Sequence, residues 1–263
     1  MNVNYDLQPI WEITFKIYQE IDRICVKHGL RVYASSGTAL GAVRHGGFIP
    51  WDDDFDVCMP WTDFLMFQKI APSELPPWLK LLSWSNCSAY DYSFPKVIIC
   101  NKKVLNEVCK VAKCDAPQGI FVDIFALNGY PSSLIKKLSR LFVVGVCRKL
   151  MIFGLSGFWN WFMNYIVSRT PYERAERVIE WTGWFKREKR FFTNKKRWMS
   201  PETFGSGKLI PFMDASIRVP QDVDAYLTWT YGNYMELPPK EQQKPSHVAV
   251  PYFPCCWRLG PEG

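Results

Sequence analysis

Apolar residues open this chain with a helical period. Ile10, Ile13, Ile17, Ile21 and Ile24 recur at spacings of three and four, which places them on one face of a helix. The pattern predicts a helix over 7–28, with Asp6 capping its start and Gly29 ending it. Residues 31–34 then read as a short strand, 39–45 as a helix, and 55–59 as a second strand broken by Pro60. A helix over 62–70 follows, closed by Pro72, Pro76 and Pro77, because proline lacks the N–H that a helix interior needs. The runs 94–99 and 120–125 are apolar, β-branched and of strand length.

The stretch 134–168 breaks this rhythm. Its apolar run from 150 to 167 is interrupted by Gly154, Ser156, Gly157, Asn160 and Asn164, and basic residues flank it, among them Lys136, Lys137, Arg148, Lys149 and Arg169. Such a run only reaches the lower limit for a membrane span, roughly 17 residues, and its interruptions weigh against one. Two readings stand: a helical lobe packed on the core, or a peripheral element lying on a membrane surface. The charged stretch 173–197 predicts a solvated helix followed by a loop.

Composition narrows the class. The 263 residues are 48% hydrophobic, enough for a sizeable core, and carry a formal charge of +7. That balance suits an anionic substrate or an acidic membrane surface. Nucleic acid is not an expected partner, since the basic residues are scattered and do not line a groove. The nine cysteines are odd in number and lack the paired spacing of a zinc site. Residues 1–7 lack a basic region leading into an apolar core. The expected location is therefore the reducing cytoplasm, or the cytoplasmic face of the membrane.

Candidate chemistry sits between the first two strands. Asp54 and Asp56 alternate on a strand and so share a face. Two carboxylates side by side call for a cation between them, and a hard divalent ion such as Mg²⁺ or Mn²⁺ suits oxygen ligands. Asp123 lies inside an apolar strand, where a carboxylate costs several kcal/mol unless paired or metal-bound, roughly 2–7 by transfer scales. It is the natural third ligand, for one or two ions. Asp52 and Asp53 read as solvated turn residues. Ahead of the acids, Ser36, Gly37 and Thr38 form a small turn suited to phosphate at a helix N-terminus. Arg44 is a candidate phosphate clamp or a structural ion-pair partner, and His45 a phosphate contact or a fold-stabilising hydrogen bond. Lys96 and His247 are further candidate phosphate contacts. No Gly-x-Ser-x-Gly and no Walker loop occurs in the chain.

Taken whole, residues 35–57 resemble the signature of the LicD family, which includes the fukutin-related proteins. The resemblance resumes at 119–125 and again at 219–227, 231–234 and 237–239. It implies a mixed α/β (α+β) fold: a small nucleotidyltransferase-like sheet with flanking helices, plus a largely helical, aromatic-rich lobe. A single catalytic domain would span 1–263, with a core of 1–128 and 205–250 and an insertion at 130–200. The implied activity is metal-dependent transfer of phosphocholine or a polyol phosphate from a CDP-activated alcohol. The acceptor would be a hydroxyl of a cell-surface glycan, free or lipid-linked, as in lipopolysaccharide biosynthesis, and CMP would be released. Two alternatives stay open: a nucleotidyltransferase releasing pyrophosphate from an NTP, and a catalytically dead membrane-associated scaffold.

Overall fold

The computed structural model describes residues 6–83, 96–99, 120–129, 172–180 and 198–245. Helix α1 runs Gln8–His28, and all five isoleucines of its stripe are buried. Asp6 accepts the Gln8 amide at 3.2 Å, and Gly29, at a φ of 65°, closes the helix. Strand β1 (Tyr33–Ala34) leads into helix α2 (Ser36–His45), which starts three residues earlier than the apolar pattern suggests. Strand β2 (Asp56–Pro60), helix α3 (Trp61–Glu74) and strand β3 (Leu79–Leu82) follow. Next come β4 (Lys96–Ile99), β5 (Phe121–Gly129) and β6 (Val178–Glu180). A hairpin of β7 (Lys208–Phe212) and β8 (Ala215–Val219) precedes helix α4 (Val223–Tyr231).

The first six strands form one mixed sheet in the order β1-β2-β5-β4-β3, with β6 paired to β5. Only β2 and β5 run parallel; the other pairings are antiparallel. Helices α1 and α3 pack on this sheet and on each other, whereas the hairpin touches β1 and α2, and α4 touches α2. The expected mixed sheet with flanking helices is therefore present.

Several expectations change. Pro60 is the last residue of β2, and Pro72 lies inside α3. A proline in a last turn forfeits one hydrogen bond, so α3 continues to Glu74 and stops ahead of Pro76. Strand β3 and the β7–β8 hairpin have no counterpart in the sequence reading. The solvated helix expected from residue 173 is instead a short 3-10 turn at Tyr172–Arg174 followed by β6. Val178 and Ile179 pair with Gly129 and Asn128, since β-branched residues beside a buried strand edge gain more by pairing than in a solvated helix. To that extent the insertion is not helical. All of 134–168 lies outside the described residues. Among the described residues, no helix is long and apolar enough to cross a membrane.

An aromatic cluster ties the layers together around Phe55. Its ring meets Tyr18 of α1 at 4.8 Å, Phe48 at 5.8 Å and Phe212 of β7 at 5.8 Å. Phe48 stacks in turn on Trp11 at 5.3 Å. The loop after α2 is drawn onto this cluster through Gly41, where an added Cβ would strike the carbonyl oxygen of Gly47.

That contact is with backbone and cannot swing aside. Gly41→Ala should therefore lose stability despite alanine's helix-propensity gain of about 1 kcal/mol, because overpacking costs about 1–3 kcal/mol. A lowered urea midpoint at unchanged m-value is the expected reading; an unchanged or raised midpoint would contradict it.

Candidate active site

The site grows from the start of β2. The Ser35 amide donates to the Asp56 carbonyl at 3.0 Å, and the Asp123 amide donates to the Phe55 carbonyl at 3.0 Å. The Asp56 amide donates to the Thr38 hydroxyl at 2.8 Å. Asp56 is thus fixed by α2 on one side and β5 on the other. Register places it directly beside Asp123, and Asp123 directly beside Lys96 of β4. Residues paired across neighbouring strands share a sheet face, so these three charges form a row. Asp54, two residues earlier, leads into the same row along the chain.

Lys96 and Asp123 are both buried, and their Nζ and Oδ1 atoms lie 2.7 Å apart. The ammonium also sits 3.3 Å from the centroid of the Phe121 ring, a cation–π contact. Lys96 therefore faces the acidic row and balances its inner carboxylate. Among the described residues, no three His, Cys, Asp or Glu side chains converge as a ready metal cage.

Asp52 and Asp53 depart from the solvated reading. Asp53 is buried. The Asp52 amide donates to the Ile49 carbonyl at 2.8 Å, and its carbonyl accepts the Trp11 indole N–H at 2.7 Å. Its carboxyl lies against Gly37, where any Cβ would strike Oδ2. Burial, the charge of neighbouring Asp54, a hydrogen bond with that carboxylate and the charge of Asp53 hold Asp52 well above the ordinary carboxylate range. A side chain at position 37 would have to displace the Asp52 carboxyl. A contact of that kind shows only in three dimensions.

Ser36 has a φ of 47°, a left-handed conformation that costs a non-glycine residue roughly 1–2 kcal/mol. Its amide donates to the hydroxyl of Tyr226 at 2.8 Å, so that N–H is engaged by α4. Tyr226 is a contributor the residue-by-residue reading missed; its one signal was its place in the 219–227 run. Arg44 and His45 lie at the other end of α2. Arg44 Nη1 donates to the Tyr234 and Glu236 carbonyls at 2.9 and 3.4 Å. His45 Nε2 accepts from Arg44 Nε at 3.0 Å, and its ring meets Trp51 edge-on. Burial and the Arg44 charge hold this imidazole below the usual histidine range, which leaves it neutral at neutral pH. The structure thus sets Asp56 beside Asp123 and Asp123 beside Lys96, ties Thr38 to Asp56 and Gly37 to Asp52, and ties Arg44 to the 234–236 segment. Tyr231 is exposed. His247 lies outside the described residues, as do Cys109, Cys114, Cys255 and Cys256. Cys25 is a buried free thiol, and Cys58 is buried.

Comparison with known proteins finds relatives over this region and beyond. Residues 29–138 match the nucleotidyltransferase domain described as LicD/FKTN/FKRP. The chain is 24% identical over 269 residues to the lipopolysaccharide cholinephosphotransferase LicD of Haemophilus influenzae, covering 92% of this chain and 96% of that protein. Shorter similarities, each over 58 residues, reach uncharacterized proteins of Rickettsia typhi (38% identical, 22% of this chain and 19% of the relative) and Rickettsia prowazekii (36%, 22% and 22%).

Two outcomes follow from the charges. Lys96→Met should cost about 3–5 kcal/mol, the usual result of stranding a buried charge, whereas Lys96→Met with Asp123→Leu should recover most of it. Chemical denaturation reads both, and a neutral single variant would contradict the pairing. Asp52 binds its proton more tightly folded than unfolded, so its contribution to stability falls as pH rises from the ordinary carboxylate range toward its raised one. Asp52→Asn stays neutral throughout. Without divalent metal it should gain on the wild type as pH rises above the ordinary carboxylate range; a constant difference would contradict the assignment.

Proposed function

This chain carries a LicD-family domain over residues 29–138, and we propose that it is a phosphotransferase moving phosphocholine from CDP-choline to a hydroxyl of a lipopolysaccharide-type glycan. The similarity to a lipopolysaccharide cholinephosphotransferase along nearly the whole chain supports the choice of group and acceptor. The observation that carries the chemistry is the parallel register of Asp56 with Asp123, directly behind the N-terminus of α2.

The residues fit a hard cation in kind. The Asp52 carboxyl pressed on Asp54 marks a surplus of negative charge that a divalent ion would relieve. Asp54, Asp56 and Asp123 would hold Mg²⁺ or Mn²⁺, which when bound neutralises the donor diphosphate. Lys96 pairs with Asp123 and adds positive charge beside the transferring group. In the reaction, the acceptor oxygen bonds to the phosphorus that bears choline. The bond from that phosphorus to the bridging oxygen breaks, and CMP leaves with the electron pair. The acceptor proton passes to a carboxylate of the row. The buried free thiol of Cys25 suits a reducing compartment, and we place the enzyme on the cytoplasmic side.

The test follows products from CDP-choline, CDP-ribitol, CDP-glycerol and the four NTPs, with metal and a glycan acceptor. Metal-dependent CMP release from CDP-choline is expected; pyrophosphate from an NTP would instead make the chain a nucleotidyltransferase. Asp56→Asn should lower turnover by roughly 10³-fold, the scale of losing a transition-state contact, with unfolding still cooperative. An active, folded Asp56→Asn enzyme would overturn the assignment.

A further inference from the structure

The turn ahead of the acids is held by its own helix, whose Ala39 amide donates to the Ser35 carbonyl at 3.1 Å, and also from a distant one. Among the described residues, only Ser36 and Met213 combine a side chain with positive φ. The Ser36 amide meets the hydroxyl oxygen of Tyr226, 190 residues away, at 2.8 Å. Tyr226 is itself firmly placed. It is fully buried in α4, a helix whose start is capped by Asp222, which accepts the Ala225 amide at 3.0 Å. The Tyr226 ring stands edge-on to Phe204, at 5.8 Å between centroids, and Phe204 packs on Tyr33 at 5.6 Å. The Tyr33 hydroxyl donates to the Gly205 carbonyl at 2.6 Å. A chain of aromatic rings thus joins α4 to the edge of the sheet. On the other side of Ser36, Gly37 receives the Asp52 carboxyl and Thr38 receives the Asp56 amide.

We infer that Tyr226 is a positioning residue: its hydroxyl fixes Ser36 in the left-handed conformation and so sets both the donor turn and, through Thr38, the placement of Asp56. Without that acceptor a serine relaxes toward negative φ, whereas a glycine holds positive φ without penalty. The inference names a donor only through the proposed function; the conformational linkage stands apart from it.

Four proteins decide it: wild type, Tyr226→Phe, Ser36→Gly, and the double variant, each measured for CDP-choline kinetics and thermal unfolding. Losing one buried hydrogen bond corresponds to roughly a tenfold effect. Tyr226→Phe should raise KM about that much, with a smaller change in kcat. In the Ser36→Gly background the same substitution should raise KM less than about twofold, because glycine removes the strain. An equal loss in both backgrounds, or an unchanged KM in both, would overturn the inference. If the wild type leaves CDP-choline untouched, the proposed function fails and thermal unfolding still decides the linkage. The fall in Tm caused by Tyr226→Phe must then be smaller in the Ser36→Gly background, and equal falls would sink it.

Discussion

Phe55 occupies one position between two acids, and its burial decides where both of them go. Its ring is wholly enclosed by aromatic residues from α1, from the loop after α2 and from β7. An aromatic side chain of this size removes about 150–250 Å² from water. Slipping the strand by one residue would bring that ring out and push a carboxylate among the others, which a charge does not tolerate without a partner. Asp54 and Asp56 therefore owe their placement to the residue between them. The same anchoring holds the Phe55 carbonyl where the Asp123 amide meets it, so the third acid is located from the same point.

Charge balance explains the rest of the row. Three or more carboxylates in a half-buried space would repel strongly, and the fold meets this in two ways. Lys96 neutralises the innermost acid from within the sheet. Asp52 is pushed toward its protonated form and pressed against Gly37, leaving Asp54 and Asp56 as the outward-facing pair. The turn, the acids and the lysine are thus parts of one electrostatic arrangement, although they come from four separate stretches of chain.

The sequence made the local elements and the acids legible because both leave a period. The isoleucine stripe of α1 and the alternation around Phe55 are visible without coordinates. Strand β3 and the β7–β8 hairpin were not, since Leu79–Leu82 is short and β7 is largely exposed. β6 was hidden by the charges around it. Asp52 looked like a turn residue because nothing in sequence shows a carboxyl folding back onto a glycine fifteen positions earlier. Tyr226 was visible as part of a motif but had no assigned partner. A contact that depends on where two distant helices meet has no signal in local pattern.

The closure of the site by distant segments also bears on how the protein comes into being. The Phe55 cluster lacks Phe212, and Ser36 lacks its acceptor, until the hairpin and α4 have been synthesised. Contacts of such sequence separation form late, because the loop must be closed before they return anything. A nascent chain on the ribosome would hold the acidic strand and the turn but not the piece that sets them. It would expose part of the aromatic cluster and leave the turn and Asp56 unset, so the arrangement would be completed only once the hairpin and α4 arrive.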